Sequence, residues 1–144
     1  LVLGEEREQQ MERSLRVIIA DDRSTTRGGL KALLALLPQV EVIGEAADGQ
    51  ESVDLVAEYS PDVVLMDVQM PVMDGLEATR RIKKQWPAVT VIALTMHARY
   101  RDEALAAGAD AFLLKDAKPG ALVGALQAQI QALTGQSTAL AQTT

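Results

Sequence analysis

The sequence predicts a doubly wound α/β domain built on a five-stranded parallel sheet, and three observations predict it. Five short apolar runs rich in β-branched residues recur along the chain. Stretches with helical apolar spacing lie between them. The runs Val17-Ile18-Ile19-Ala20 and Val63-Val64-Leu65-Met66 are hydrophobic almost without a break, as strands buried on both faces require. Strands alternating with helices read as repeated βαβ units, whose parallel sheet is covered on both sides.

The first strand is placed at Arg16–Ala20. Leu30, Leu33, Leu34 and Leu37 follow at steps of three and four, forming one apolar helical stripe. The second strand is Val40–Glu45, and the helix Glu51–Tyr59 after it carries Val53, Leu55 and Val56. The third strand, Val63–Met66, leads to a helix over Leu76–Trp86 with Leu76, Thr79 and Ile82 on one side. Val89–Leu94 is the fourth strand, Tyr100–Ala107 a short alanine-rich helix, and Ala111–Leu114 the fifth strand. The last helix, Pro119–Leu133, has Leu122, Leu126 and Ile130 at steps of four. Right-handed crossovers then order the sheet 2-1-3-4-5. There is no internal repeat. Residues 15–133 read as one domain, Leu1–Ser14 as a charged N-terminal extension without the apolar segment of a signal peptide, and the small polar residues 134–144 as a tail or the start of a linker.

The 144 residues suit one domain with one core. An apolar fraction of 48% with 24% charged residues places the chain among soluble globular proteins rather than disordered ones. No apolar run approaches the roughly 18–20 residues of a membrane span, so a cytoplasmic protein without membrane contact is expected. The absence of cysteine and a single histidine exclude disulfides, thiol catalysis and the usual zinc clusters. A net charge of −6 argues against nucleic-acid binding by this segment itself, because phosphate contacts need clustered Lys and Arg.

A doubly wound sheet holds its ligand beyond the carboxyl ends of its strands. Asp21 and Asp22 follow the first strand, Asp67 ends the third, Thr95 the fourth and Lys115 the fifth. Aspartate is a favoured N-cap and loop residue, so either acidic position alone says little. On one rim they are three carboxylates, a hydroxyl and an ammonium. Carboxylates that close repel one another and call for a cation. Mg²⁺ fits best, since it prefers hard oxygen ligands and takes one or two carboxylates together with phosphate oxygens. A nucleophilic carboxylate can accept a phosphoryl group as an acyl phosphate. The metal and Lys115 would neutralise charge on the transferring group, and Thr95 would hydrogen-bond its oxygen. The plainer alternative is that Lys115 is only a salt-bridge partner of the acids.

These residues carry a family resemblance. Val17-Ile18-Ile19-Ala20-Asp21-Asp22 resembles the first strand and acidic pair of response-regulator receiver domains. Asp62 to Gly75, reading DVVLMDVQMPVMDG, is similar to their acceptor strand and following loop almost residue for residue. Val91–Thr95 and Ala107–Lys115 resemble the later motifs, so the likeness spans roughly Leu15 to Leu133. It implies the flavodoxin-like, CheY-like fold, with Asp67 as phosphoacceptor. Asp22, Asp67 and the backbone carbonyl of Gln69 would ligate Mg²⁺, and Asp21 would act through a metal-bound water. Thr95 and Lys115 would contact the phosphoryl group. The donor would be a phosphohistidine on a sensor histidine kinase, or a small phosphodonor.

The resemblance also implies a switch, in which Thr95 moves toward the phosphoryl group and the aromatic at Phe112 swings inward. Phe112 lacks a hydroxyl, so any such switch runs on packing alone; ordinary core packing is its other reading. By the same resemblance, Gln69 and His97, two residues after Asp67 and Thr95, would occupy positions that tune the lifetime of the acyl phosphate, although an exposed loop histidine is the simpler account of His97. Lys115 is followed by Asp116 rather than proline, so no cis peptide is expected there. Leu113-Leu114-Lys115-Asp116, Ala20-Asp21-Asp22-Arg23 and Arg27-Gly28-Gly29-Leu30 resemble the NarL/LuxR subfamily. Such proteins control transcription through a DNA-binding output domain, which would belong to a longer parent, and homodimerisation is one route of output. Two rival readings stand beside this one. A haloacid-dehalogenase-type phosphatase would place an acid two residues after its nucleophile, where Gln69 stands, so turnover of an external substrate is not expected. A degenerate receiver would serve only as a dimerisation or docking module.

Overall fold

Each strand is separated from the next by a helix rather than a tight turn, and such connections produce parallel pairing. In the computed structural model, which describes residues 14–143, the strands are β1 (Leu15–Ala20), β2 (Val40–Ala46), β3 (Val63–Asp67), β4 (Thr90–Thr95) and β5 (Ala111–Leu114). They form one sheet ordered β2-β1-β3-β4-β5, with every neighbouring pair parallel. The helices are α1 (Ser24–Leu34), α2 (Gly49–Tyr59), α3 (Gly75–Gln85), α4 (Arg101–Ala106) and α5 (Pro119–Thr143). The expected extension at residues 1–13 lies outside the described residues.

Alternation along the strands sends side chains to two cores. Ile18, Ala20, Val64, Met66 and Val91 pack with Val56 of α2 and with Ala78 and Ile82 of α3. Leu15, Val17, Ile19, Val63, Leu65, Ile92 and Leu94 point the other way and pack with Leu34 of α1 and with Leu122 and Leu126 of α5. A third cluster joins Val68, Leu76 and Ala93 to Ala104 of α4. Every residue of β3 is buried, as its unbroken hydrophobicity requires. The central strand that ends in Asp67 is therefore the most completely buried of the five.

Two helices start on designed caps. Asp48 accepts from the Glu51 amide at 2.8 Å to open α2, and Asp74 accepts from the Glu77 amide at 2.8 Å to open α3. By contrast, α1 begins at Arg23 with no side-chain cap. It also carries Gly28 and Gly29 in its interior, with open space where a Cβ would stand. Interior glycine costs a helix about 0.5–1 kcal/mol relative to alanine. Gly28→Ala or Gly29→Ala is therefore expected to stabilise the domain by about 0.5–1 kcal/mol each, read as a higher Tm. A fall in Tm would mean that something approaches this face closely.

Two expectations change in detail, and the sheet carries one irregularity that the sequence did not predict. β1 and β2 shift register between Val17 and Ile18, so that Val17 faces Val42 and Ile18 faces Gly44, leaving Ile43 as an extra residue. The helix expected over Tyr100–Ala107 is split into a 3₁₀ turn, Ala98–Tyr100, and a short α4. The helix expected to stop at Leu133 continues to Thr143, because one glycine among alanine, glutamine and leucine is too weak a break to end it. No described peptide bond is cis, as expected after Lys115. No helix among the described residues is long and apolar enough to cross a membrane.

Candidate functional site

The sheet order determines which residues can meet. β1, β3, β4 and β5 end on one rim, and the site lies where the chain leaves β1 and β3. Asp21 and Asp67 are 1% and 5% exposed, whereas Asp22 faces solvent. Oxygen atoms of these three carboxylates lie within 4.8 Å of one another. The Lys115 ammonium, arriving from β5, stands 2.6 Å from Asp21 Oδ2 and 3.2 Å from Asp67 Oδ2. One cation thus ties together the ends of three strands.

The backbone is braced around the acids. Asp21 Oδ1 accepts from the Arg23 amide at 2.9 Å, and the Asp21 amide donates to Ala46 O at 2.9 Å. Arg27 donates to Asp21 O at 2.6 Å while its Nε meets Glu45 Oε1 at 3.1 Å, so α1, β1 and β2 are joined behind the acidic pair. The sequence marked Arg27 only as part of a subfamily pattern, because its bracing role depends on where α1 turns its side chain. After β3, the Gln69 amide lies 3.4 Å from Asp67 Oδ1. The Gly75 amide donates to Val68 O at 2.8 Å, which folds the loop back onto the strand end.

Burial is the main reason that Asp67 holds its proton above the usual carboxylate range; the Lys115 charge opposes this, and the Asp21 carboxylate reinforces it. Three carboxylates face one ammonium, and the donor set is hard oxygen throughout. That is the chemistry of a hard, oxygen-seeking cation rather than of a soft metal. Asp21, Asp22 and Asp67 are the residues that can hold it, with the exposed Asp22 open to water.

The other expected residues are placed less uniformly. Thr95 is 1% exposed, and its Oγ1 accepts from the His97 amide at 3.3 Å. Its carbonyl accepts from the Lys115 amide at 2.8 Å. The Gln69 side chain turns to Tyr100, to whose hydroxyl its Nε2 donates at 2.9 Å. His97 is exposed and meets the Tyr100 ring edge-on, with centroids 6.2 Å apart. Phe112 is half-buried and packs, with Tyr100, against the α4 cluster. Tyr100 is the site neighbour that sequence reasoning passed over, since it was read only as the start of a helix.

Val72, in the loop after β3, is 85% exposed and has φ of 68°. A β-branched residue in the left-handed region is strained. Val72→Asn is expected to gain about 0.5–1 kcal/mol, since asparagine tolerates this backbone better. Thermal melting checks it, and an unchanged or lower Tm would show that the strain is relieved locally.

A parallel sheet with an acidic triad and a lysine gathered at its carboxyl edge is the arrangement of a receiver-type signalling module, and the chain belongs to the response regulator receiver domain family, whose sequence profile matches residues 17–127. Its likeness runs to regulators of the NarL/LuxR type. The chain is 39% identical over 126 residues to the transcriptional regulatory protein DegU of Brevibacillus brevis, covering 86% of this chain and 53% of that protein. A two-component response regulator of the LuxR family from Aurantimonas sp. SI85-9A1 superposes with a TM-score of 0.78 at 34% identity, covering 83% of this chain and 86% of that one. A DNA-binding response regulator of the LuxR family from Staphylococcus aureus superposes with a TM-score of 0.74 at 30% identity, covering 81% and 98% of the two chains. The chain spans about half the length of the curated relatives it matches.

Proposed function

We propose that this domain is a phosphorylation switch whose acceptor is Asp67 and whose metal is Mg²⁺. The observation that carries this reading is the Lys115 ammonium, held between Asp21 and Asp67 at 2.6 and 3.2 Å. A structural ion pair balances one acid with one base, whereas three clustered carboxylates face this one ammonium. Here the same cation serves a buried pair of acids beside an exposed third.

Asp22, Asp67 and the backbone carbonyl of Gln69 would hold the ion, with Asp21 acting through a bound water. When bound, Mg²⁺ supplies charge neutralisation to the phosphoryl oxygens. The remaining chemistry belongs to the chain. A carboxylate oxygen of Asp67 bonds to phosphorus as the bond from phosphorus to the donor breaks, and the donor leaves with the bonding pair. Lys115 neutralises charge on the transferred group, and the Thr95 hydroxyl turns from the His97 amide to bond a phosphoryl oxygen. That turn biases two packed states of the β4–α4 segment and Phe112, so the output is a population shift. Phosphohistidine on a sensor histidine kinase is the physiological donor in this reading. The relatives named as transcriptional and DNA-binding regulators support an output through DNA in a longer parent protein, with dimerisation as one route.

Intact-mass measurement after incubation with acetyl phosphate, with and without Mg²⁺, tests the acceptor. One added phosphoryl group, dependent on Mg²⁺ and mapped to the peptide containing Asp67, is expected. No modification, or modification mapped elsewhere, overturns the assignment.

A further inference from the structure

Gln69 and Tyr100 belong to different loops and meet beside the acidic cluster, with Gln69 Nε2 donating to Tyr100 Oη at 2.9 Å. The tyrosine is fixed from several directions. Arg99 donates to the same hydroxyl at 3.2 Å, and its guanidinium carbon lies 5.0 Å from the ring centroid. The His97 ring meets Tyr100 at 67° with centroids 6.2 Å apart. The ring itself packs, with Phe112, on the cluster of Val68, Leu76, Ala93 and Ala104. Tyr100, Gln69 and Asp22 line one surface depression. The hydroxyl is thus an anchored acceptor facing the acceptor loop.

We propose that Tyr100 is a positioning residue for the acyl phosphate on Asp67: its hydroxyl parks the Gln69 carboxamide at the edge of the site and so prolongs the phosphorylated state. This rests on the reading of Asp67 as the acceptor. In hydrolysis, a water oxygen bonds to phosphorus as the bond from phosphorus to the Asp67 oxygen breaks. Asp67 regains its carboxylate, orthophosphate leaves and a proton passes to solvent. A carboxamide two residues from the acceptor, if free, samples rotamers that reach the phosphoryl group and can accept a hydrogen bond from the attacking water. Held on Tyr100, it is kept from doing so. The same hydrogen bond bridges the β3–α3 loop to the β4–α4 turn. This restraint slows hydrolysis.

The test is to phosphorylate wild type, Tyr100→Phe, Gln69→Ala and the double variant with acetyl phosphate and Mg²⁺, remove the donor, and follow loss of the added mass. Phenylalanine keeps the ring packing, and Gln69→Ala keeps the backbone carbonyl. Tyr100→Phe is expected to lose phosphate about three- to tenfold faster, the span of one net hydrogen bond, with Tm unchanged. In the Gln69→Ala background the same change is expected to add nothing, because Tyr100 acts through that side chain. Equal or slower loss in Tyr100→Phe overturns the proposal, as does equal acceleration in both backgrounds. Failure of wild type to take up phosphate would overturn the acceptor reading and this proposal with it, whereas equal lifetimes in labelled proteins overturn this proposal alone.

Discussion

Asp67→Asn is expected to abolish phosphorylation by acetyl phosphate in Mg²⁺ and to leave a protein more stable than wild type near neutral pH. The first effect follows from removing the nucleophilic oxygen while keeping the shape. The second follows from electrostatics. Asp67 is 5% exposed, and burial together with the Asp21 carboxylate outweighs the Lys115 ammonium, so its folded-state pKa is raised. A raised carboxyl pKa means that the folded state binds its proton more tightly than the unfolded chain does. Its contribution to stability is then present in acid and is lost as pH rises from the ordinary carboxylate range through the raised value. Asparagine does not titrate and escapes that loss, and Lys115 keeps Asp21 at 2.6 Å. The gain at pH near 7 is expected to be on the order of 1 kcal/mol, the scale for relieving one of two close buried like charges. It should shrink as pH falls toward the ordinary carboxylate range. Thermal melts of both proteins over that interval decide it: a variant less stable than wild type near neutrality would mean that the Lys115 pair outweighs burial. Retained labelling would remove Asp67 as the acceptor.

Much of this site was legible because a parallel α/β fold turns linear positions into spatial ones. Once Val17–Ala20 and Val63–Met66 read as strands buried on both faces, their carboxyl ends had to lie together. Asp21, Asp67 and Lys115 therefore met without knowledge of any side-chain torsion. The motif likeness added the order of events at those residues. What stayed hidden depends on rotamers and loop paths. Gln69 and His97 were marked as tuning positions, but nothing in their spacing says that both would turn to Tyr100. Arg27 was read as part of a subfamily pattern, while its hydrogen bond to Asp21 O depends on the angle at which α1 leaves β1. The continuation of α5 to Thr143 was missed for a different reason. Small polar residues resemble linkers in composition, yet most of them are compatible with a helix that is already nucleated.

The largest loss of stability is expected from Gly75→Ala, a substitution that favours helix almost anywhere else. Gly75 opens α3 directly over the end of β3, where its amide donates to Val68 O at 2.8 Å. A Cβ there would collide with the Asp67 carbonyl oxygen and crowd Val68 Cα at 2.9 Å. Both are backbone atoms of buried β3 and its exit, so no flexible side chain can yield. Either α3 moves outward, uncovering Ala78 and Ile82 from the core they share with Val64 and Met66, or β3 shifts beneath it. The expected cost is about 2–4 kcal/mol, in the range of overpacking against rigid neighbours. Denaturant unfolding measures it, with Gly28→Ala as the counterpart of opposite sign in open space. Function should fall with it, because displacing the Asp67–Gln69 backbone moves the acceptor carboxylate relative to Lys115. Beryllofluoride binding in Mg²⁺, measured below the variant's melting range, separates these effects. A Gly75→Ala protein that melts like wild type would show that the close approach of α3 to β3 is not required. Normal stability with lost beryllofluoride binding would instead place the role of Gly75 in the geometry of the site alone.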